Sequence, residues 1–232
     1  MTTHITAPCQ QVTDLSTRLL LNLVIVLDVT WSMRPYIQGV VRALVHFLEI
    51  LASGRIDGRV GLVLFRDLKE GEPMHIWRIG TEPLELKAIL ESTPARGGGS
   101  EPESALPALD AALNLEADSA GSCRVVLLIT DAPCHDPEDQ YTSDFIRRRL
   151  QENQVLFLAC APPVTSYVEF TNATGGSLFG IAPNMDPDTF AKLLLDVANV
   201  TVTRTLARAQ SSNAQQIALA ELNRTQILGG GE

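Results

Sequence analysis

Three short stretches of the chain concentrate oxygen-bearing side chains at spacings that could do chemistry. The segment Asp28-Val29-Thr30-Trp31-Ser32 sets a carboxylate and two hydroxyls at alternate positions. In an extended loop that alternation turns all three oxygens to one side. Ile129-Thr130-Asp131 places a second carboxylate directly behind an apolar run. Between them, Gly97-Gly98-Gly99-Ser100-Glu101-Pro102-Glu103 combines a glycine loop, a serine at the N-cap position expected for a helix, and a proline at an early helical position. Together, Asp28, Asp131, Thr30, Ser32 and Ser100 form an all-oxygen set with room for waters. Such a set suits a hard divalent cation, Mg²⁺ above all, with Mn²⁺ or Ca²⁺ as substitutes.

Other chemistries fit these residues less well. Cys134-His135-Asp136 could pair a nucleophile with a base, but adjacent side chains point apart, and no second Cys/His pair gives a zinc spacing. The segment reads as a rim loop after Asp131. A phosphate cradle at Gly97 to Gly99 would need a following lysine, whereas Glu101 comes next but one and disfavours an anion. Phosphotransferases that use D-x-D after their first strand carry an acid where this chain has Thr30. Glu101 and Glu103 are read as acids of a first helical turn, and Asp67 as a loop-organising acceptor. Trp31, between two hydroxyls that face the ion, turns away from them, either under the loop or outward on the rim; it is expected to be a partner-binding residue.

The elements that must position these groups are legible from periodicity. Leu21 to Val29, Val60 to Phe65, Cys123 to Thr130 and Val155 to Ala161 are continuous apolar runs, the signature of strands buried on both faces. Tyr36 to Leu51, Pro102 to Leu115 and Ser143 to Gln151 carry apolar residues at helical spacing. Met74 to Ile79 follows Val60 to Phe65 so closely, across a turn of Gly, Glu and Pro, that an antiparallel edge strand is expected. Ser166 to Thr174 reads as a short helix, Gly175 to Ile181 as a last strand, and Asp186 onward as a closing helix. The order β-α-β-β-α-α-β-α-β-α-β-α predicts a three-layer, doubly wound α/β fold. Its sites belong at the carboxyl ends of the strands, where the strand order changes.

Composition bounds the rest. The chain has 232 residues, 45% of them hydrophobic and 19% charged, which excludes a disordered or fibrous protein. A net charge of −9 argues against a bulk electrostatic grip on nucleic acid or anionic lipid and favours a cation. The longest apolar run, Leu19 to Leu27, is too short for a membrane span. The four cysteines, Cys9, Cys123, Cys134 and Cys160, show no paired spacing, so reduced thiols are expected. With Asp14 ahead of that apolar run and no small-residue cleavage site after it, a signal peptide fits poorly and a cytoplasmic location is expected.

With its three motifs in order after suitable strands, the sequence resembles the von Willebrand factor A domain family over about residues 20 to 202. The family's metal-ion-dependent adhesion site is built from D-x-[ST]-x-S, a Thr or Asp in a second loop and an Asp after the fourth strand. Here these fall on Asp28, Thr30 and Ser32, on Ser100, and on Asp131. VGLVLFRD, GGGSEPES and LLITDAPCHD look like the intracellular bacterial and protist branch. Ser100 keeps a hydroxyl but drops the charge of the Asp variant, and Trp31 stands where related bacterial sequences often carry Gly. The resemblance implies a Rossmann-like fold and a non-enzymatic, metal-dependent interaction module. Its partner would be a protein presenting a carboxylate, in complexes with ATPases or signalling and defence proteins. The alternatives are a metal-dependent hydrolase or phosphotransferase using Asp28, and a metal-free scaffold that binds through its tail. The expected organisation is an N-terminal arm at 1–18, the domain at 19–202, and a C-terminal helical or flexible tail at 203–232.

Overall fold

The computed structural model describes residues 19–53, 56–99, 101–116, 122–182, 185–205 and 207. The expected arm at 1–18, Ser100 and the tail from 208 lie outside the described residues. Among the described residues, six strands and six helices follow one another in the expected order. They are β1 (Leu19–Asp28), α1 (Ile37–Ser53), β2 (Ile56–Phe65), β3 (His75–Trp77), α2 (Pro83–Ser92) and α3 (Ala105–Asn114). After them come β4 (Cys123–Ile129), α4 (Ser143–Glu152), β5 (Leu156–Ala161), α5 (Thr165–Thr174), β6 (Ser177–Gly180) and α6 (187–205). Two single-turn 3₁₀ helices, Trp31–Met33 and Leu68–Glu70, follow β1 and β2.

The strands form one sheet in the order β3-β2-β1-β4-β5-β6. All neighbours are parallel except β2 and β3, whose antiparallel pairing makes β3 the expected edge strand. Alternation along β1 sends Leu21, Leu23, Ile25 and Leu27 to one face and Val24 and Val26 to the other, and both sets are buried. The first set packs with Val40, Leu44 and Phe47 of α1, Leu86 and Leu90 of α2, and Phe190, Leu194 and Val197 of α6. The second packs with Leu106 and Leu109 of α3, Ile146 and Leu150 of α4, and Tyr167 and Phe170 of α5. Burial on both faces is why these strands read as continuous apolar runs.

Three element starts depart most from the sequence reading. β1 and β2 begin earlier, at Leu19 and Ile56, because the ladder recruits polar Asp57 and Arg59 opposite Leu20 and Asn22. The third helix starts at Ala105 rather than at Pro102. Residues 101–104 stay out of it because Glu103 is hydrogen bonded to another loop: its N–H donates to Pro133 O at 2.9 Å and its carbonyl accepts from His135 N at 3.1 Å. Ser104, not Ser100, therefore stands at the N-cap position of α3.

Candidate metal centre and its surroundings

The chain runs outward from β1 to β2 and β3, then returns to place β4 on the other side of β1. The strand order reverses between β1 and β4; Asp28 is the last residue of β1 and Asp131 lies two residues past β4. Leu27 stands opposite Ile129 in the register, which brings Thr130 beside Asp28. A crevice at the carboxyl ends of strands forms at such a switch point.

Asp28 is fully buried and its carboxylate is held on both oxygens. Oδ1 accepts from Thr30 N at 2.8 Å and from Thr30 Oγ1 at 2.6 Å, and Oδ2 accepts from Thr130 Oγ1 at 2.6 Å. Ser32 Oγ lies 3.1 Å from Thr30 Oγ1 and donates to Asp131 Oδ1 at 2.9 Å. Thr30 and Ser32 thus link the two acids into one chain of contacts. Each hydroxyl has a single proton, here donated to a carboxylate, which leaves its oxygen lone pairs available to a cation. Burial raises Asp28 to about 6 against the pull of Thr130 and Thr30, and burial also raises Asp131.

The glycine loop closes over this chain. Trp31 N donates to Gly97 O at 3.1 Å, and Gly98 N donates to Glu72 Oε2 at 2.9 Å. Gly98 has φ +92, and a Cβ there would lie 2.6 Å from Thr30 Cβ and 2.7 Å from Glu103 Oε1. Only glycine fits both the left-handed backbone and the close approach. Ser100, the expected fifth ligand, continues this loop but lies outside the described residues.

Glu103 is the functional candidate that sequence reasoning passed over. It is 4% exposed, and its Oε2 has no hydrogen-bond partner. Burial, reinforced first by Asp28 and then by Asp67, Glu72 and Asp131, raises it to about 9. The second missed residue is Thr130. The sequence carried no signal for it, because its contact with Asp28 depends on the register of β1 against β4.

Asp67, as expected, organises its loop, accepting from Lys69 N at 2.9 Å and from Ser104 Oγ at 3.2 Å on Oδ1. Ser104 Oγ is also 2.6 Å from Glu138 Oε1, and His135 Nε2 is 3.4 Å from Asp67 Oδ1. Cys134 is buried, and burial raises its thiol, so the geometry gives no activated Cys–His pair. Trp31 takes the outward of its two destinations, 60% exposed, with the Arg34 guanidinium 4.9 Å from its ring centre.

The donor set can be tested against a metal ion from the residues themselves. Among the described residues no three Asp, Glu, His or Cys side chains converge as a ready-made cage. What converges is a mixed set of carboxylates and hydroxyls, which is the composition hard divalent ions accept. Glu103 adds a buried carboxyl oxygen without a hydrogen-bond partner beside it. The residues present fit such an ion.

The von Willebrand factor A domain profile matches residues 22–181, and the chain belongs to that family. Among solved structures it is similar to the crystal structure of an aerotolerance-related membrane protein from Bacteroides fragilis NCTC 9343 carrying multiple mutations to serine. Identity is 14% and the TM-score 0.54, over 77% of this chain and 98% of that one. At that identity the likeness concerns the fold alone. No curated protein matches the chain. Domains of this family commonly mediate protein–protein interactions. Among the described residues no helix is long and apolar enough to cross a membrane.

Proposed function

We propose that the chain is an interaction module, not an enzyme, that captures a carboxylate of a protein partner through a divalent cation. The residues that would hold the ion are Asp28, Thr30, Ser32, Ser100 and Asp131, with Mg²⁺ the favoured ion and Mn²⁺ or Ca²⁺ as substitutes. When bound, the ion would offer an exchangeable coordination position to an oxygen of the partner. A cytoplasmic setting, and a role in assembling larger complexes, belong to the same proposal.

One observation carries the reading: buried negative charge without a cation of the chain's own. Asp28 is buried, and among the described residues neither it nor Asp131 forms an ion pair with Lys, Arg or His; Glu103, kept protonated by burial and its acidic neighbours, is a further acid that a cation would help to ionise. Burying a carboxylate this way is costly unless it is paired or coordinates a metal. Thr30 and Thr130 fix Asp28 by hydrogen bonds, and Ser32 orients Asp131. The chain's residues thus preorganise a set of oxygens rather than aim a base at a nucleophile. Trp31, beside the site and exposed, supplies a rigid aromatic surface suited to a partner's centre of contact.

A pull-down from native extract tests the proposal, run with Mg²⁺ and with chelator, using wild type and Asp28→Ala. Retention of a partner in Mg²⁺, lost both with chelator and in the variant, is expected. An Asp28-dependent phosphatase activity, or a phospho-aspartate at Asp28, would contradict it.

A further inference from the structure

Between edge strand β3 and the carboxyl end of α2 lies an open groove of about 440 Å³. It is lined by Arg66, Glu72, His75, Trp77, Pro94 and Arg96, among others. In a chain of net charge −9 this is a local reversal: two guanidiniums face a single carboxylate. That carboxylate, Glu72, accepts from Gly98 N on Oε2 and also acts on Arg66, which leaves the groove with one guanidinium in excess. Arg66 is buried and fixed. Its Nε donates to Val29 O at 3.2 Å and its Nη2 to Pro94 O at 3.1 Å, which uses two of its five N–H donors. Arg96 is exposed, and its backbone N–H donates to the same Val29 carbonyl at 3.0 Å.

Val29 immediately follows Asp28. The Arg66 guanidinium and the Arg96 backbone are therefore both anchored one residue from the candidate metal centre, on the side where Gly97 and Gly98 close over Thr30, while the Arg96 side chain extends exposed into the groove. A planar guanidinium preset by carbonyl bonds is a ready receptor for a carboxylate. Trp77 and His75 add a flat wall, their rings 6.2 Å apart between centroids.

The geometry points to this groove as a second carboxylate receptor, which takes an acidic residue of an extended partner segment whose neighbouring acid is captured at Asp28. It rests on the proposed carboxylate capture for the first of the two acids, while the groove's own arginines carry the second.

Fluorescence anisotropy of a fluorescein-labelled (Gly-Glu)₅ peptide tests it, with (Gly-Gln)₅ and (Gly-Lys)₅ as comparisons. Each peptide is measured in Mg²⁺ and in chelator against wild type, Arg96→Glu, Arg96→Lys, Asp28→Ala and Arg148→Glu, the last on the distant helix α4. Circular dichroism verifies that each variant folds. The expected result is binding of (Gly-Glu)₅ alone, weakened about fivefold or more by Arg96→Glu. Arg96→Lys should largely restore it, and Arg148→Glu should leave it unchanged. Loss with Arg96→Glu but no response to chelator or Asp28→Ala would keep the groove and contradict the metal reading. Sensitivity to chelator and Asp28→Ala, with none to Arg96→Glu, would keep the metal reading and overturn the groove. Equal loss from Arg148→Glu, equal binding of the uncharged peptide, or no binding of (Gly-Glu)₅ to wild type would also overturn it. So would an Arg96-dependent dimer in sedimentation without peptide binding, which would assign the groove to a second copy.

Discussion

Glu103 and Trp31 are the two side chains whose surroundings say most about this site, and each leads to a measurable outcome. Glu103 sits above its ordinary range because burial, then Asp28 and its other acidic neighbours, oppose its charge. The folded chain thus holds a proton that the unfolded chain releases earlier. The stability tied to that proton is complete below the unfolded value of 4.5 and is lost as pH rises through about 9. Asp28 adds the same sign between 3.8 and about 6. Metal-free protein should accordingly melt at a higher temperature near about pH 5 than near about pH 8.5, and Glu103→Gln should flatten the upper part of that profile. A profile unchanged by Glu103→Gln would place the titration elsewhere. Trp31, exposed and stacked under Arg34, should behave oppositely to a core residue. Trp31→Ala is expected to leave the melting temperature within about 1 °C. It should weaken partner binding by about 2 kcal/mol, read as a Kd. A large loss of stability would assign it to packing instead.

The glycine loop is where backbone geometry and site meet. At Gly98, φ +92 and the proximity of Thr30 and Glu103 leave no space for a side chain. Gly98→Ala should cost about 1 to 3 kcal/mol in denaturant melts and remove the response to Mg²⁺. A variant of unchanged stability and response would show that the loop is not built around that contact. The last helix makes a different prediction. It runs past residue 202, with Thr201 and Thr205 buried, so the layer it closes needs the chain to about residue 207. A chain ending at Ala207 should keep the fold and the Mg²⁺ response, as circular dichroism and melts would show. The elements themselves were legible because both faces of the sheet are buried, which turned four strands into continuous apolar runs. The carboxyl-end acids Asp28 and Asp131 were legible for the same reason, since each ends such a run. Glu103 was not, because its role depends on a tertiary bond to Pro133 and His135 that overrides the helical start implied by Ser100 and Pro102. Nor was Thr130, whose contact with Asp28 exists only through the β1–β4 register.

A doubly wound sheet brings distant segments together at the point where its strand order reverses, and here that point gathers residues 28–32, 97–99, 101–103 and 130–131 from three loops. Two layers of helices make the interior apolar, so the acids at this rim are poorly solvated and gain from a cation. The arginine groove beside it extends the same surface along the edge strand, giving an otherwise acidic chain one face that suits acidic partners. All of this turns on the proposed divalent ion at this rim. Isothermal titration calorimetry of Mg²⁺ into wild type and Asp28→Ala, with circular dichroism to verify that the variant is folded, tests it most directly. One Mg²⁺ site in wild type, accompanied by a rise in melting temperature as expected for an ion bound only by the folded state, and absent from Asp28→Ala, is the predicted result. Equal Mg²⁺ affinity in the two proteins, or none in wild type, would contradict it.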